Sequence, residues 1–157
     1  MDTVDRTELK GGCACGALRY TVADQSGFVP YVCHCLDCQT RQGSSFALQL
    51  FVLESEFSLV GEPIRGLVNK ANGAVVTNTG CANCLTRIYS ANSIHPGFIV
   101  LRAGTLDDSH RLEPGVHIWT SRKQPWLKIP DGAPTYAEQP EDNSTWRALV
   151  RPQKLTA

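Results

Sequence analysis

The stretch Cys33-His34-Cys35-Leu36-Asp37-Cys38 decides the organisation of this chain, because it gathers three thiols within six residues. Cys33 and Cys35 are two positions apart, so extended chain would turn both side chains to one face. The C-x-x-C turn from Cys35 to Cys38 brings two sulfurs about 4 Å apart, which is the separation of thiolates around a tetrahedral zinc. The stretch therefore predicts a three-sulfur metal site. Three protein ligands leave the fourth position free, which is typical of catalytic zinc.

The other four cysteines predict a second metal site. They form a C-x-C and a distant C-x-x-C, at positions Cys13, Cys15, Cys81 and Cys84. Four sulfurs close a tetrahedral site, as in structural zinc centres. The seven cysteines thus divide into four and three, whereas disulfides would leave one unpaired. Scattered buried or free thiols are the plainer alternative, but short ligand spacings for all seven favour two zinc ions per chain.

Composition limits the classes of function that fit. The chain has 157 residues, of which 42% are apolar and 19% charged, as in a globular protein with one domain. Lys plus Arg and Asp plus Glu number 15 each, which argues against broad binding to nucleic acid or to an anionic membrane. No stretch has the apolar length of a membrane span. Polar residues 1–10 are untypical of a targeting peptide, so reduced thiols predict a cytoplasmic location.

Alternating apolar and polar residues predict a mainly β fold of short antiparallel strands with metal knuckles at their ends. In the strand over 17–22, Leu18, Tyr20 and Val22 share one face. Asn72-Gly73 predicts a hairpin turn, and Gly43 ends a helical turn over 37–42. A partly helical end over 144–150 follows a Pro-rich loop over 124–140. The other predicted extended segments are 28–35, 45–53, 56–60, 74–77, 85–91, 98–103 and 116–120.

The order of these motifs resembles the glutathione-dependent formaldehyde-activating enzyme family, which includes the centromere protein V-like proteins. The motifs that carry the resemblance are C-x-C-G at 13–16, C-H-C-x-x-C at 33–38, R-x-G at 41–43, C-x-x-C at 81–84, H-I-W at 117–119 and P-W at 125–126. The resemblance covers residues 11–136, which we expect to form the zinc-binding domain. A flexible arm would precede it over 1–10, and a tail over 137–157 would pack on it or extend from it.

The resemblance implies an Mss4-like fold of folded-over antiparallel sheets. It also implies a structural zinc on Cys13, Cys15, Cys81 and Cys84 and a catalytic zinc on Cys33, Cys35 and Cys38. The activity named for the family adds glutathione to formaldehyde and gives S-hydroxymethylglutathione, a carbon–sulfur lyase reaction. Two positions depart from the family pattern, since Gly80 stands where Phe is frequent and Leu85 where Gly is usual. The oligomeric state and the glutathione contacts have no motif in the sequence.

The predicted chemistry agrees with a thiol reaction. Zinc held by three thiolates is a weak Lewis acid, but it suits a soft fourth ligand. A thiol bound there loses its proton near neutral pH and stays nucleophilic. We therefore expect a small-molecule thiol and a small aldehyde as partners. Two alternatives stay open, namely a non-catalytic zinc module that binds another macromolecule, and a redox or iron–sulfur protein that uses Cys35 and Cys38.

Several single residues are candidates with two interpretations. His34 lies between two cysteines that share a face, so it should point the other way and support the site rather than bind zinc. His117 fits a core position or a substrate pocket. Arg41 either receives a substrate carboxylate or is simply exposed. Arg19 and Arg87 either offset the charge of the closed site or are ordinary strand residues. The aromatic pair Trp126 and Tyr136 either attaches the Pro-rich loop to the sheet or covers the open zinc.

Overall fold

The computed structural model of the chain describes residues 8–23 and 29–150. The described residues form two compact units, the first within Met1–Ser26 and Phe51–Arg111 and the second within Gly27–Leu50 and Leu112–Ala157. Ten strands and two helices run along these residues: β1 (Glu8–Gly12), β2 (Arg19–Ala23), β3 (Tyr31–Cys33), α1 (Leu36–Gln42), β4 (Ala47–Leu53), β5 (Phe57–Val60), β6 (Pro63–Asn69), β7 (Val75–Cys81), β8 (Arg87–Asn92), β9 (Phe98–Arg102), β10 (Val116–Ile118) and α2 (Asn143–Val150). The mainly β fold predicted from the sequence is confirmed. The start of the extended segment predicted over 28–35, at residue 28, lies outside the described residues.

The first unit contains a small antiparallel sheet in the order β1-β2-β5. As the alternation predicts, Leu18, Tyr20 and Val22 are buried, each at most 2% exposed. The Tyr20 and Phe57 rings lie 5.4 Å apart, and Phe57 packs edge-on against Tyr89 of β8 at 5.0 Å. The strand β1 begins at Glu8, so it takes in the last three residues of the arm expected over 1–10.

The first unit also contains an antiparallel run of strands in the order β6-β7-β8-β9. The hairpin between β6 and β7 turns at Asn72-Gly73, as predicted: the Asn72 side chain accepts from Ala74 N, and Gly73 has a φ of 84°. Sequence reasoning missed most of β6, because it begins at Pro63 and contains Gly66, and four of its residues in a row are exposed. Its pairing with β7, not its own pattern, makes it a strand.

The second unit is built around β3. This strand pairs antiparallel with β4 and parallel with β10, so that Val32 lies opposite both Leu48 and His117. The parallel pair departs from the all-antiparallel prediction. It is formed by segments more than eighty positions apart, since Val116 pairs with Tyr31, and no local turn signal could reveal it. The helix α1 follows β3 and ends at Gly43 in a left-handed conformation, as predicted.

The Pro-rich segment over 124–140 lacks helices and strands and is held to β10 by its backbone. His117 N donates to Pro134 O and Tyr136 N to His117 O, both at 2.9 Å. The Trp126 side chain is 66% exposed, so it does not attach the segment to the sheet. The helix α2 follows, capped by Asp142, whose side chain accepts from Thr145 N at 2.7 Å. Across the described ranges, neither helix is long and apolar enough to span a membrane.

Two tryptophans provide a matched test of how the C-terminal helix is held. Trp146 is 7% exposed and packs edge-on against Tyr31 of β3, with ring centroids 4.7 Å apart. We expect Trp146→Ala to lower the free energy of unfolding by about 3 kcal/mol, because it leaves a large cavity at a buried aromatic contact. Trp126→Ala is the control and should change stability by less than about 0.5 kcal/mol. Urea denaturation followed by circular dichroism measures both, and equal losses in the two variants would contradict this packing.

Candidate metal centres

The first unit brings together the four cysteines predicted to form a closed site. Cys13 and Cys15 lie in the turn after β1, Cys81 ends β7, and Cys84 lies in the turn before β8. Their sulfurs all lie within 4.8 Å of one another, and the pairs Cys13–Cys15 and Cys15–Cys81 are 3.6 and 3.7 Å apart. Zinc–sulfur bonds of 2.3 Å place tetrahedral ligands about 3.8 Å apart. The cluster therefore fits a metal ion of this size.

Polar hydrogens point at these sulfurs. Leu18 N donates to the Cys13 sulfur at 3.2 Å, and Asn83 N donates to the Cys81 sulfur at 3.4 Å. The Asn83 side-chain amide reaches Cys15 at 3.4 Å. The Thr86 hydroxyl lies 3.1 Å from the Cys84 sulfur, and this hydrogen bond lowers the pKa of the Cys84 thiol to about 5. Such donors stabilise thiolates, the form of cysteine that binds metal.

The two arginines near this cluster have partners of their own. The Arg19 guanidinium forms a two-bonded pair with the Asp107 carboxylate, at 3.0 and 2.5 Å. The Arg87 guanidinium donates to the side-chain oxygen of Asn78. Contacts from Leu18, Asn83, Cys84 and Thr86 therefore supply the hydrogen bonds to the sulfurs. Sequence reasoning missed Asn83 and Thr86, although their position in and directly after the C-x-x-C was a usable signal.

The two departures from the family pattern have a local explanation at this cluster. Leu85 has a φ of 62°, in the left-handed region that favours glycine, and its side chain is 73% exposed. A Cβ at Gly80 would lie 2.8 Å from the carbonyl oxygen of Thr86. The register between β7 and β8 also shifts at Gly80. The backbone thus passes too closely for a larger side chain at position 80, whereas position 85 has room but a strained conformation.

The second unit brings together the three cysteines of the opening stretch. Cys33 ends β3, Cys35 is the N-cap of α1, and Cys38 lies in the first turn of that helix. Their sulfurs lie within 4.8 Å of one another. Among the described residues, no fourth Cys, His, Asp or Glu joins this group. Cys33 is buried, whereas Cys35 and Cys38 are half-buried, so the cluster is open on one side.

Hydrogen bonds hold the three sulfurs in this arrangement. Cys38 N donates to the Cys35 sulfur at 3.3 Å, and the Gln49 side-chain amide lies 3.9 Å from the Cys38 sulfur. Hydrogen bonds with Cys33 and Cys38 lower the pKa of the Cys35 thiol, whereas hydrogen bonds with Cys35 and Cys38 raise the pKa of the Cys33 thiol. The three thiols thus hydrogen-bond to one another, and a divalent cation would displace their protons on binding. The buried Gln49 between two leucines of β4 was the signal that sequence reasoning overlooked.

The histidine between the cysteines belongs to a different contact. His34 is fully buried, and its Nε2 lies 3.0 Å from Nδ1 of His117, with nearly parallel rings. Burial lowers the pKa of His34 to about 4, with a smaller effect from nearby His117, and burial also lowers the pKa of His117. Both imidazoles are therefore neutral at physiological pH. In the described part of the chain, neither histidine joins a group of metal-ligating side chains.

Arg41 lies one turn beyond the cluster on α1. Its guanidinium is 3.8 Å from the Asp37 carboxylate, and the Arg41 side chain is 22% exposed against 63% for Asp37. A pair at this distance with one exposed partner contributes less than about 0.5 kcal/mol. Arg41 thus lies close to the three-cysteine cluster in the helix, and its ion pair with Asp37 is weak.

Comparison with known proteins gives a family. The family model described as glutathione-dependent formaldehyde-activating enzyme matches residues 8–122. This match spans both cysteine clusters. Among solved structures, a crystal structure of a Rhodobacter sphaeroides protein from a structural genomics programme shares 18% sequence identity, covers 81% of this chain and 98% of its own, and has a TM-score of 0.49. Among curated proteins, none matches the chain.

The strained residue beside the closed cluster gives a stability prediction. We expect Leu85→Gly to raise the free energy of unfolding by about 1 kcal/mol, because glycine adopts positive φ without the steric cost that leucine bears. Leu85→Ala is the matched control, since it removes the exposed side chain but keeps a Cβ at positive φ. Urea denaturation of the metal-loaded protein measures both. An equal gain from alanine would show that the exposed side chain, and not the backbone, was responsible.

Metal counting tests the two clusters separately. We expect Cys38→Ser and Cys84→Ser each to lose about one zinc per chain, since each removes one sulfur from one cluster. Only Cys84→Ser should also lower the thermal midpoint, by roughly 5 °C or more, because a closed site contributes directly to folding. Asp37→Asn is the control, since it changes the C-x-x-C turn but keeps every sulfur. Mass spectrometry of the metals gives the counts, and unchanged zinc in both serine variants would rule out the assignment.

Proposed function

Since this chain belongs to the glutathione-dependent formaldehyde-activating enzyme family, we propose that its three-cysteine cluster binds a thiol and forms or breaks the adduct of that thiol with a small aldehyde. Glutathione and formaldehyde are the partners that the family description names. The observation that carries the proposal is the contrast between the clusters. One cluster offers four sulfurs, which complete a tetrahedral site, whereas the other offers three.

We propose that both clusters hold zinc. Cys13, Cys15, Cys81 and Cys84 would hold a structural ion, and Cys33, Cys35 and Cys38 a catalytic one. The donor sets fit this metal, because thiolates are preferred zinc ligands and the sulfur spacings match a tetrahedron. At the open cluster, the bound ion would keep a substrate thiol in its thiolate form.

The residues of the chain would orient and hold the reactants. Gln49 and the backbone of Cys38 donate to the sulfurs and so fix their directions. Arg41 lies in the last turn of α1, one turn beyond Cys38, and its guanidinium would receive a glutathione carboxylate. A site that holds the thiol and the carbonyl in contact removes the entropic cost of a bimolecular encounter. This cost is a large part of the barrier for such an addition.

The reaction is a balanced addition. A carbon–sulfur bond forms between the thiolate sulfur and the carbonyl carbon, while the π bond of the carbonyl breaks. The carbonyl oxygen takes up the proton that the thiol lost, so the product is a hemithioacetal. No electrons are exchanged with a further reagent, and the reverse reaction is the lyase direction.

Thiol binding at the open cluster tests the proposal directly. We expect the cobalt-substituted protein to change its sulfur-to-metal absorption in a saturable way when glutathione is added, because a fourth sulfur would alter the coordination. Cys38→Ser should lose this response, whereas the absorption from the four-cysteine cluster should be unchanged in both proteins. If the spectrum of the metal-loaded protein does not change when glutathione is added, the result would favour a non-catalytic zinc module instead.

Substitutions at Arg41 test whether this residue contributes to substrate binding or to the chemical step. We expect Arg41→Gln to raise the KM for glutathione by roughly tenfold with kcat nearly unchanged, because it removes a contact to the substrate carboxylate and not to the reacting atoms. Arg41→Lys should recover part of this loss. The assay is exchange of ¹³C-formaldehyde with its glutathione adduct, followed by NMR. With 2-mercaptoethanol, which has no carboxylate, all three proteins should be equal, and a loss there would refute this role.

A further inference from the structure

The second unit contains a cavity of about 730 Å³ that the thiol chemistry does not use. Its apolar wall includes Val32, Phe46, Leu48 and Leu127. Its volume is within the range of small-molecule sites, which is about 300–1,000 Å³, and far exceeds what formaldehyde needs. The cavity is partly open to solvent, and a largely apolar pocket of this size with a few polar groups is a candidate binding site.

Opposite faces of β3 contribute side chains to the cavity and to the three-cysteine cluster. Val32 and His34 line the cavity, and none of the three cysteines does. Side chains alternate along a strand, so Cys33 faces away from the neighbours that border the hollow. The cavity is therefore a separate site, and an inference about its ligand does not depend on the proposed function.

The two histidines supply the polar group of the cavity wall. His34 Nε2 and His117 Nδ1 are 3.0 Å apart, so one of them donates to the other. His34 Nδ1 is buried and has no hydrogen-bond partner among the residues that the structure describes. An orphaned lone pair is tolerated better than an orphaned N–H. The pair is therefore arranged with His34 Nε2–H donating to His117 Nδ1, which leaves the proton of His117 on Nε2.

The His117 Nε2–H is the donor that a ligand would meet. His117 lines the cavity and keeps 9% of its surface exposed, whereas His34 behind it is fully buried. Among the described residues, none hydrogen-bonds to Nε2 of His117, and this atom is not among the buried atoms without a partner, so it reaches the open side of the cavity. A ligand with an acceptor oxygen would replace solvent at this donor, against walls that are largely apolar.

Charges at the rim narrow the class of ligand further. Glu113, Asp131 and Lys128 are exposed and border the cavity, so two carboxylates oppose one ammonium group. Lys123 adds a second ammonium group, because its Nζ donates to Leu127 O at 2.6 Å and its charge acts on His34. The charges around the cavity therefore balance and give no net attraction for a charged ligand. The apolar walls favour a ligand with an apolar body, and the His117 donor favours a ligand with one hydrogen-bond acceptor.

We propose that this cavity binds a neutral carbonyl compound with an apolar body, an aromatic or medium-chain ketone or aldehyde, whose oxygen accepts from His117 Nε2. The carbonyl group would lie against the histidine pair, and the hydrocarbon part against Phe46, Leu48 and Leu127. The site discriminates by hydrogen bonding, because a matched compound without the oxygen leaves the His117 donor unpaired.

Three probes of one shape test the proposal on the zinc-loaded full chain. Acetophenone carries the carbonyl, ethylbenzene lacks it, and benzoate replaces it with a charge. We expect saturable binding of acetophenone in titrations followed by ¹H–¹⁵N NMR, with shifts centred on Val32, Gly115 and His117. Ethylbenzene should bind about tenfold more weakly, since one hydrogen bond is missing, and benzoate more weakly still. Equal affinity for ethylbenzene or benzoate, or shifts centred elsewhere, would overturn the proposal.

Matched variants locate the binding. Leu127→Trp fills the cavity and should weaken acetophenone binding at least tenfold, whereas Leu67→Trp, at a position 70% exposed in the first unit, should not change it. His117→Phe should reduce acetophenone to the affinity of ethylbenzene. If that variant fails to fold, Leu127→Trp decides the matter alone. Cys38→Ser should bind acetophenone normally, which separates this site from the thiol chemistry, and loss of binding there would contradict two separate sites.

Discussion

The approach of cysteine sulfurs to one another is the constraint on which both clusters depend. In the four-cysteine cluster, sulfurs 3.6 and 3.7 Å apart are too distant for an S–S bond of about 2 Å and close to the separation that tetrahedral zinc requires. In both clusters, short turns at the ends of β1, β3 and β7 bring the sulfurs within 4.8 Å of one another, and backbone N–H groups donate to them. Because thiols this close compete for protons, a cation at the centre that replaces those protons would stabilise each cluster.

Local sequence patterns predicted the parts of the fold that local geometry determines. Cysteine spacing predicted both groups of sulfurs, because C-x-C and C-x-x-C turns have few conformations. Alternation predicted the buried face of Leu18, Tyr20 and Val22, and Asn72-Gly73 predicted the hairpin turn. The family resemblance is confirmed by the match over residues 8–122. Which cluster holds which ion, and what Arg41 does, stay predictions.

Features that depend on the partners of a segment, and not on its own residue pattern, could not be predicted. The parallel pairing of β3 with β10 joins segments whose separation in sequence carries no signal, and His117 meets His34 only because of it. The strand β6 has a weak pattern of its own and is formed by pairing with β7. Trp126 is a third case, since aromatic composition suggested an anchor, yet backbone hydrogen bonds hold its segment.

The short segment at β3 contributes to two different features, the three-cysteine cluster and the apolar cavity. Cysteines on one side and Val32 with His34 on the other are separated only by the pleat. An insertion of a single residue before Cys33 would exchange the two sides, so that imidazole would face the thiol cluster and sulfur the apolar hollow. A change of length by one residue would therefore disable both sides of the strand together, whereas a substitution affects only the side on which it lies.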